Sequence, residues 1–308
     1  MLSEVQVAEV KEVAPDANVV RTRDENQIEA ILHDLEVVAG WVPRELVLKA
    51  PGLRWMQQWW SGADWVLSTP DAKRDFVLTN MSGVHPIQMS EHILGLMLAF
   101  SRQLHNAIRA QSRNEWRRVP GETLSELAGK TILLVGVGAI GQRTAQVASA
   151  FGMRVLGIRR SPSKSVPHVE KMLPPDQLLS ILPEADFVVI AAPLTPETRG
   201  MIGQAALQRM KKTAYLINIG RGEIVDQACL VQVLQKGGIA GAGLDVFEKE
   251  PLPKESPLWQ MENVIITAHY AGASQGYHQR AFAIFIDNLR RYQAGEPLRN
   301  VVNKELGY

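Results

Sequence analysis

The stretch Thr131-Ile-Leu-Leu-Val-Gly-Val-Gly-Ala-Ile-Gly141 joins a short apolar run to three spaced glycines. The apolar run predicts a buried strand, and the amphipathic segment 142–151 predicts a helix directly after it. In this context Gly136 permits a tight turn, Gly138 lets the backbone approach a pyrophosphate, and Gly141 lets the helix pack closely on the strand. The sequence therefore predicts a dinucleotide-binding turn between a strand and a helix.

The residues around this turn indicate which dinucleotide it binds. The first amides of the helix, at Ala139 and Ile140, would face the negative charge of the phosphates. An acidic residue after the second strand would accept hydrogen bonds from a ribose 2′-hydroxyl, but the chain has Arg159-Arg160-Ser161 there. Two guanidiniums and a hydroxyl favour a 2′-phosphate. We therefore predict NADP(H) as the preferred cofactor, with NAD(H) as the alternative.

Short apolar runs alternate with helical stretches from Thr131 almost to the end of the chain. Uninterrupted apolar strands indicate a parallel sheet covered on both faces, and crossovers between such strands are right-handed. The alternation therefore predicts a doubly wound, dinucleotide-binding Rossmann domain. Its strands are predicted at residues 131–135, 154–158, 187–191, 215–219, 243–246 and 264–267.

A separate alternation covers the N-terminal part of the chain. Strands are predicted at 37–39 and 53–57, and helices at 43–50, at 90–103 and, in the tail, at 276–294. We therefore predict an α/β chain of two doubly wound parallel-sheet domains. In this arrangement a Rossmann cofactor domain (98–274) is inserted in a flavodoxin-like substrate domain (1–97 and 275–308).

Composition limits the function classes. The 308 residues are 46% hydrophobic and 21% charged, which excludes a disordered chain. The net charge of +1 favours neither nucleic acid nor an anionic membrane as a partner. The first residues lack the pattern of a signal peptide, and a single cysteine, Cys229, allows no disulfide within the chain. We therefore expect a cytoplasmic protein in which Cys229 is an inert thiol.

Three polar residues suit the reduction of a 2-keto acid. Arg221 follows a predicted strand, and its planar fork can hold carboxylate and carbonyl oxygens together. His269 follows another strand, and its imidazole can donate a proton to the carbonyl oxygen as a hydride reaches the carbon. Glu250 can accept a hydrogen bond from the second imidazole nitrogen and favour the protonated ring, with Glu248 as the competitor for this role.

The segments that carry these residues resemble the D-isomer-specific 2-hydroxyacid dehydrogenases. The resemblance extends from about residue 30 to 300 and implies that Arg221, Glu250 and His269 are the catalytic residues. It favours Glu250 over Glu248, because the family's acid directly precedes the proline. The matching segments are Ile217-Asn-Ile-Gly-Arg-Gly-Glu-Ile-Val-Asp226, Gly243-Leu-Asp-Val-Phe-Glu-Lys-Glu-Pro-Leu-Pro253, Thr267-Ala-His-Tyr-Ala-Gly272, Ala191-Ala-Pro-Leu-Thr-Pro-Glu-Thr198, and Leu53-Arg-Trp-Met-Gln with Gly62-Ala-Asp64.

Within the family the chain is most similar to the glyoxylate/hydroxypyruvate reductases, because of Arg159-Arg160-Ser161 and the pair Trp59-Trp60. The substrate implied is a small 2-keto or 2-hydroxy acid. Trp116 lies in a segment that packs against a partner subunit in related enzymes, so the resemblance also implies a homodimer.

The resemblance implies further site residues. Asp245 would bind the nicotinamide carboxamide, and Ile219 would lie against the ring. A loop would offer its backbone amides to the substrate carboxylate, which Arg221 and His269 would also contact. The loop consists of Trp60, Ser61, Gly62 and Ala63, and additional cofactor contacts are expected at Pro193, Thr198, Arg221, His269 and Gly272.

Other functions compete with this interpretation. A phosphoglycerate dehydrogenase is disfavoured because no regulatory domain follows in the sequence to Tyr308 and no extra basic cluster is present. A formate dehydrogenase is disfavoured by the arginine pair. A corepressor that senses the dinucleotide would keep the same three polar residues, and is disfavoured by the lack of basic or disordered tails.

His85, His92 and His105 lack consistent liganding neighbours, so we expect no metal site.

The N-terminus departs from the family pattern. The family normally opens with an apolar strand, whereas residues 3–13 predict a helix. This departure leaves the catalytic segments unchanged but leaves the strand order of the first domain open.

Overall fold

The computed structural model describes residues 2–162 and 165–308. Its helices are α1 (Glu4–Val13), α2 (Glu25–Ala30), α3 (Arg44–Val47), α4 (Pro86–Ser101), α5 (Leu104–Ser112), α6 (Ala139–Ala150), α7 (Leu178–Ile181), α8 (Gln204–Arg209), α9 (Gln227–Gln235) and α10 (Tyr277–Gln293). Its strands are β1 (Val37–Gly40), β2 (Trp55–Gln58), β3 (Val77–Thr79), β4 (Thr131–Val135), β5 (Arg154–Ile158), β6 (Lys171–Leu173), β7 (Phe187–Ile190), β8 (Tyr215–Asn218), β9 (Gly241–Leu244) and β10 (Val264–Ile266). Among the described residues, no helix combines the length and apolarity that a membrane crossing requires.

The chain forms two compact units. The smaller unit consists of Met1–Val84 and Ser274–Tyr308, and the larger unit is His85–Ala273. The division falls before α4 rather than after residue 97, because Ile93 and Met97 of α4 lie in the same apolar cluster as Leu134 of β4. The assignment of one unit to the substrate and the other to the dinucleotide stays a prediction.

The larger unit contains a seven-stranded parallel sheet in the order β10-β9-β8-β7-β4-β5-β6. Strands β4 to β6 extend to one side and β7 to β10 to the other, which is the doubly wound order that the alternation predicts. Ile132 and Leu134 of β4 join one apolar cluster, whereas Leu133 and Val135 join another. Both faces of the sheet are therefore covered, as a parallel sheet requires. The sequence pattern does not predict β6, because this three-residue strand contains an exposed lysine and only one buried residue.

The smaller unit contains a three-stranded parallel sheet in the order β1-β2-β3. Trp55 of β2 stacks on Phe285 and Tyr292 of α10, with ring centroids 5.8 and 5.3 Å apart. The next residue, Met56, packs with Val47 of α3 in a second cluster. Successive residues of β2 thus enter different clusters, so this sheet is also covered on both faces. The predicted class of two parallel α/β domains is confirmed.

A helix occupies the N-terminus, as the sequence indicates. The Ser3 hydroxyl accepts from the backbone N–H of Gln6, and the Gln6 side chain accepts from the N–H of Ser3, which is a capping box. Val10 of α1 lies in the apolar cluster that contains Phe285. Helix α4 starts at Pro86, one turn before the predicted start, because proline suits the first position of a helix.

Candidate active site

The predicted catalytic residues lie on loops at one edge of the larger sheet. Arg221 follows β8, Glu250 follows β9 and His269 follows β10. These strands are neighbours in the sheet. Since the strands are parallel, their carboxyl ends meet at the same edge, where ligands of open α/β sheets bind. A cation, a carboxylate and an imidazole are therefore brought to one edge.

His269 and Glu250 form a direct hydrogen bond. Nδ1 of His269 lies 2.6 Å from Oε2 of Glu250, and Oε1 of Glu250 accepts from the backbone N–H of Phe247 at 3.0 Å. Because Nδ1 is used in this bond, Nε2 is the nitrogen that can donate to a ligand, and the histidine side chain is 50% exposed. Glu248 instead accepts from the backbone N–H of Gln227 at 3.0 Å. Of the two competing acids, Glu250 is the one that contacts the histidine.

Asp245 holds the backbone around His269. Its carboxylate accepts from the hydroxyl of Thr267 at 2.6 Å and from the N–H groups of Tyr270 and Ala271 at 3.1 Å each. Its carbonyl oxygen accepts from the N–H of His269 at 2.8 Å. These bonds matter because His269 has a φ of 53°, a left-handed conformation that is unfavourable for a residue other than glycine. Asp245 therefore stabilises the loop that carries His269. Its contact with the carboxamide of a nicotinamide stays a prediction.

His92 of α4 extends the same network. Its Nε2 lies 3.1 Å from Oγ1 of Thr267. Since the Thr267 hydroxyl already donates to Asp245, it accepts from His92. Burial lowers the pKa of His92, and the negative charge of Asp245 partly offsets this effect. The neutral ring, with its proton on Nε2, therefore donates to the Thr267 hydroxyl. That hydroxyl in turn donates to Asp245, which holds the His269 loop.

Arg221 lies on a turn that Asn218 shapes. Nδ2 of Asn218 donates to the carbonyl of Arg221 at 2.9 Å, and its Oδ1 accepts from the N–H of Gly220 at 3.0 Å. A Cβ on Gly222 would lie 1.9 Å from the backbone carbon of Phe247. The turns that follow β8 and β9 therefore touch through their backbones, which keeps the Arg221 turn next to the segment that carries the acid of the pair.

The glycine turn lies between β4 and α6. A Cβ on Gly136, whose φ is 102°, would lie 2.5 Å from the backbone nitrogen of Ala192, and one on Gly141 would lie 2.4 Å from the carbonyl oxygen of Gly136. A Cβ on Gly138 would meet no heavy atom within 4 Å. The chain itself thus requires glycine at two positions and leaves space at the third. This space lies at the start of α6, where amides without an intrahelical partner fit a pyrophosphate.

The arginine pair lies at the end of β5, the strand next to β4. The N–H of Arg159 donates to a carbonyl of β6 at 2.9 Å, whereas Arg160 and Ser161 are exposed. The pKa of Glu197 is lowered mainly by a hydrogen bond from Thr195 and to a smaller extent by the charge of Arg160. The contact of this pair with a ribose 2′ group stays a prediction.

The remaining predicted cofactor residues follow β7, β8 and β10. The Thr198 hydroxyl donates to the carbonyl of Pro193 at 2.8 Å, which closes the loop after β7. The carbonyl of Gly272 accepts from Nε2 of Gln88 at 2.9 Å. Ile219 is buried in the apolar cluster. The contacts of these residues with a cofactor stay predictions.

The predicted substrate loop, Trp60 to Ala63, follows β2 in the smaller unit. Trp60 stacks on Trp41 with ring centroids 4.6 Å apart. The guanidinium of Arg44 lies 5.6 Å from the Trp60 ring centroid and 4.7 Å from that of Trp65. The first residue of the loop, Trp60, therefore packs against a second indole ring and the guanidinium of Arg44.

The histidines that the sequence analysis considered as metal ligands have other partners. Nδ1 of His85 lies 3.2 Å from the carbonyl of Gly272, and Nδ1 of His105 lies 3.0 Å from the carbonyl of Ala99. Across residues 2–162 and 165–308, no group of three or more His, Cys, Asp or Glu side chains could hold a metal ion.

Sequence reasoning assigned Asp245 to the cofactor carboxamide and found no role for Thr267, His92, Gln58 or Asn80, so it missed the part that these residues have in positioning two loops. Asp245, Thr267 and His92 form a network around the His269 loop, and Gln58 and Asn80 hold the loop of the smaller unit. Apart from the contact between Gln58 and Trp60, these contacts join residues that are far apart in the sequence. Only the glycine turn and the segments that carry Arg221, Glu250 and His269 could be identified from the sequence alone.

Comparisons relate the chain to known proteins. The profile of the NAD-binding domain of D-isomer specific 2-hydroxyacid dehydrogenases matches residues 94–271. A glyoxylate reductase of Korarchaeum cryptofilum (strain OPF8) is 38% identical over 271 residues, which are 86% of this chain and 80% of that protein. A D-3-phosphoglycerate dehydrogenase of Methanocaldococcus jannaschii is 34% identical over 262 residues, which are 85% of this chain and 50% of that protein.

Solved structures show the same relationship. The NADPH-dependent glyoxylate/hydroxypyruvate reductase of Sinorhizobium meliloti, in complex with NADP and sulfate, is 30% identical to this chain. The two structures have a TM-score of 0.85, and the match covers 98% of this chain and 96% of that one.

Proposed function

The chain belongs to the D-isomer-specific 2-hydroxyacid dehydrogenases, a family of NAD(P)-dependent oxidoreductases, and we propose that it reduces a small 2-keto acid to the D-2-hydroxy acid with NADPH. Glyoxylate and hydroxypyruvate are the substrates we expect. The observation that carries the proposal is the 2.6 Å hydrogen bond between His269 and Glu250, at the sheet edge that also bears Arg221.

Each residue at this edge has its own part in the reaction. A bound nicotinamide supplies the hydride that reaches the carbonyl carbon. Arg221 binds the carboxylate and carbonyl oxygens of the keto acid, which fixes the carbonyl and draws electron density to its oxygen. Nε2 of His269 donates its proton to that oxygen, which becomes the hydroxyl of the product. Glu250 holds the ring through Nδ1, which leaves Nε2 available to that oxygen.

The preference for NADPH rests on the residues beside the glycine turn. Arg159 and Arg160 offer two guanidiniums to a 2′-phosphate, and Ser161 offers a hydroxyl. An acidic residue that would favour a free ribose hydroxyl is absent from this position in the sequence. The reductase of Sinorhizobium meliloti, which is described as NADPH-dependent, supports the same preference. NAD(H) is the alternative cofactor.

We also propose that the protein is a homodimer in the cytoplasm. Apolar side chains around α5 are exposed, with Trp116 92%, Ile108 66% and Leu104 48% exposed. A second copy of the chain that covers this surface would remove it from water. Light scattering of the purified protein tests the dimer, and Trp116→Ala should shift it toward the monomer. A single cysteine suits the reducing cytoplasm.

The alternative function is that of a phosphoglycerate dehydrogenase, which the relative in Methanocaldococcus jannaschii favours. One assay separates the two functions. The oxidation of NADPH and of NADH is followed with glyoxylate, hydroxypyruvate and pyruvate, and the reverse reaction is followed with 3-phosphoglycerate. We expect the highest kcat/KM with NADPH and a two- or three-carbon keto acid. Turnover of 3-phosphoglycerate alone would refute the proposal, and no turnover with any substrate would favour a dinucleotide-sensing binding protein.

A further inference from the structure

In the loop from Trp60 to Ala63, the first three carbonyl groups accept from two side chains of the smaller unit, and that of Trp60 also accepts from the backbone N–H of Met81 at 3.1 Å. Nε2 of Gln58 donates to the carbonyl of Trp60 at 3.0 Å and to that of Gly62 at 2.7 Å. Nδ2 of Asn80 donates to the carbonyl of Ser61 at 2.8 Å. Gln58 ends β2 and Asn80 follows β3, so the carboxyl ends of two neighbouring strands hold consecutive carbonyls of one loop.

The two amides are themselves fixed in orientation. Gln58 is fully buried, and its Oε1 accepts from Nε1 of Trp65 at 2.9 Å. Oδ1 of Asn80 accepts from the N–H of Ser82 at 2.9 Å. Since an indole and a backbone N–H can only donate, each amide oxygen must face them. The amide NH₂ groups of Gln58 and Asn80 therefore face the loop.

This anchoring determines where the N–H groups of the loop point. In a trans peptide the carbonyl of one residue and the N–H of the next point in opposite directions. The carbonyls of Trp60 and Gly62 converge on the same nitrogen, so the N–H groups of Ser61 and Ala63 are directed away from Gln58. By the same argument the N–H of Gly62 is directed away from Asn80.

These N–H groups have no acceptor within the part of the chain that the structure describes, residues 2–162 and 165–308. Ala63 is nevertheless only 1% exposed, and buried backbone N–H groups nearly always have a partner. Successive N–H groups that face one way form a concave site for an anion. The guanidinium of Arg44, 5.6 Å from the Trp60 ring, adds positive charge nearby.

We propose that Gln58 and Asn80 are positioning residues that direct the N–H groups of Ser61, Gly62 and Ala63 toward the carboxylate of the substrate. The inference rests on the proposed function, since it takes the anion to be a 2-keto acid. Neither side chain touches the substrate, and both act through the carbonyls that they hold. The affinity for the carboxylate should therefore depend on two buried amides that no motif marks.

The test is Gln58→Met, which keeps the length of the side chain and removes both donors. Reduction of glyoxylate with NADPH is measured together with the binding of oxamate, a non-reacting 2-keto acid analogue, in calorimetry. We expect the KM for glyoxylate and the Kd of oxamate to rise by about tenfold, as loss of one well-directed hydrogen bond to a charged group would produce. The Kd of NADPH should stay unchanged.

Asn80→Asp is the second variant, in case Gln58→Met does not fold. It keeps the acceptor for Ser82, removes the donor to Ser61 and adds a carboxylate charge, so the KM and the oxamate Kd should rise at least as far as in Gln58→Met. Gln57→Met is the matched control. Gln57 is also fully buried on β2, and its Oε1 accepts from the side chains of Thr79 and Asn288 at 2.8 and 3.0 Å. This variant should lower the Tm but leave both KM and oxamate binding unchanged.

The outcomes separate this inference from the proposed function. If Gln58→Met and Asn80→Asp lower the Tm as Gln57→Met does but leave KM and oxamate binding unchanged, the side chains only stabilise the fold and the inference is wrong. If the wild type binds oxamate, loses that binding in Gln58→Met, and yet reduces no keto acid, the inference holds and the proposed reaction is wrong.

Discussion

The Gly138→Ala variant should lose affinity for NADPH without losing stability. Gly138 has φ −86° and ψ −156°, an extended conformation that alanine also adopts. A Cβ built there meets no heavy atom within 4 Å. Replacing glycine by alanine at a compatible position stabilises a protein by about 0.4–1 kcal/mol, because the unfolded chain loses freedom. The Tm without cofactor should therefore stay the same or rise by up to about 4 °C.

The Gly138→Ala variant should bind NADPH more weakly even though its fold is unchanged. The added methyl group would occupy the space at the start of α6, where the helix amides would approach a pyrophosphate. Loss of one hydrogen bond to a charged group is worth about 1.5–3 kcal/mol. The Kd of NADPH should therefore rise by about 10- to 100-fold.

Gly136→Ala is the matched comparison, because its glycine is required by the chain. The φ of 102° is unfavourable for alanine, and the new Cβ would lie 2.5 Å from the backbone nitrogen of Ala192. The left-handed backbone alone costs about 1–2 kcal/mol, and displacement of the Ala192 backbone adds to it. The Tm without cofactor should fall by at least about 2 °C, taking about 2–4 °C per kcal/mol for a domain of this size.

Thermal unfolding without cofactor and fluorescence titration with NADPH measure both effects on the same samples. If Gly138→Ala lowers the Tm as far as Gly136→Ala does, the glycine is required for packing and the structural argument fails. If it keeps the Tm and also binds NADPH like the wild type, the open space at Gly138 is not where the pyrophosphate lies.

The remaining predictions concern turnover and cofactor choice. His269→Ala should lower kcat by about 10²- to 10⁴-fold in steady-state assays with little change in the Kd of NADPH, since only the proton donor is removed; retention of most of kcat would exclude it as the donor. Glu250→Gln should lower kcat by about tenfold because a neutral amide replaces the carboxylate bonded to Nδ1, whereas Glu248→Gln should stay near the wild type; an equal loss in both variants contradicts the pairing. Arg221→Lys keeps the charge but loses the bidentate geometry, so KM should rise and kcat fall; an unchanged kcat/KM would leave Arg221 outside the reaction. Arg159→Asp should raise the Kd of NADPH by at least about tenfold and leave that of NADH equal or lower; a parallel shift for both cofactors would make the arginine pair a solvated strand end.

Local patterns carried most of the fold prediction. The apolar runs that became β4, β5, β7 and β8 are continuous, since both faces of a parallel sheet are buried, and their composition alone identifies them. The short edge strand β6 has no such run, because its lysine is exposed and only Leu173 is buried. The position of α4 in the larger unit was also not predictable, because its apolar face suits either domain and the burial of Ile93 and Met97 depends on which core is nearby.

For the site, the sequence by itself determined which residue types are available and that each follows a strand. The glycine spacing, the arginine pair and the segments around Arg221, Glu250 and His269 are all local and are visible without a structure. Only the tertiary structure decided which atoms meet: that Glu250 rather than Glu248 bonds His269, and that Asp245 holds the left-handed histidine loop. The physical reason is that a hydrogen bond depends on position to within a fraction of an ångström. Residues on different loops reach such positions only after the strands that carry them have paired in register.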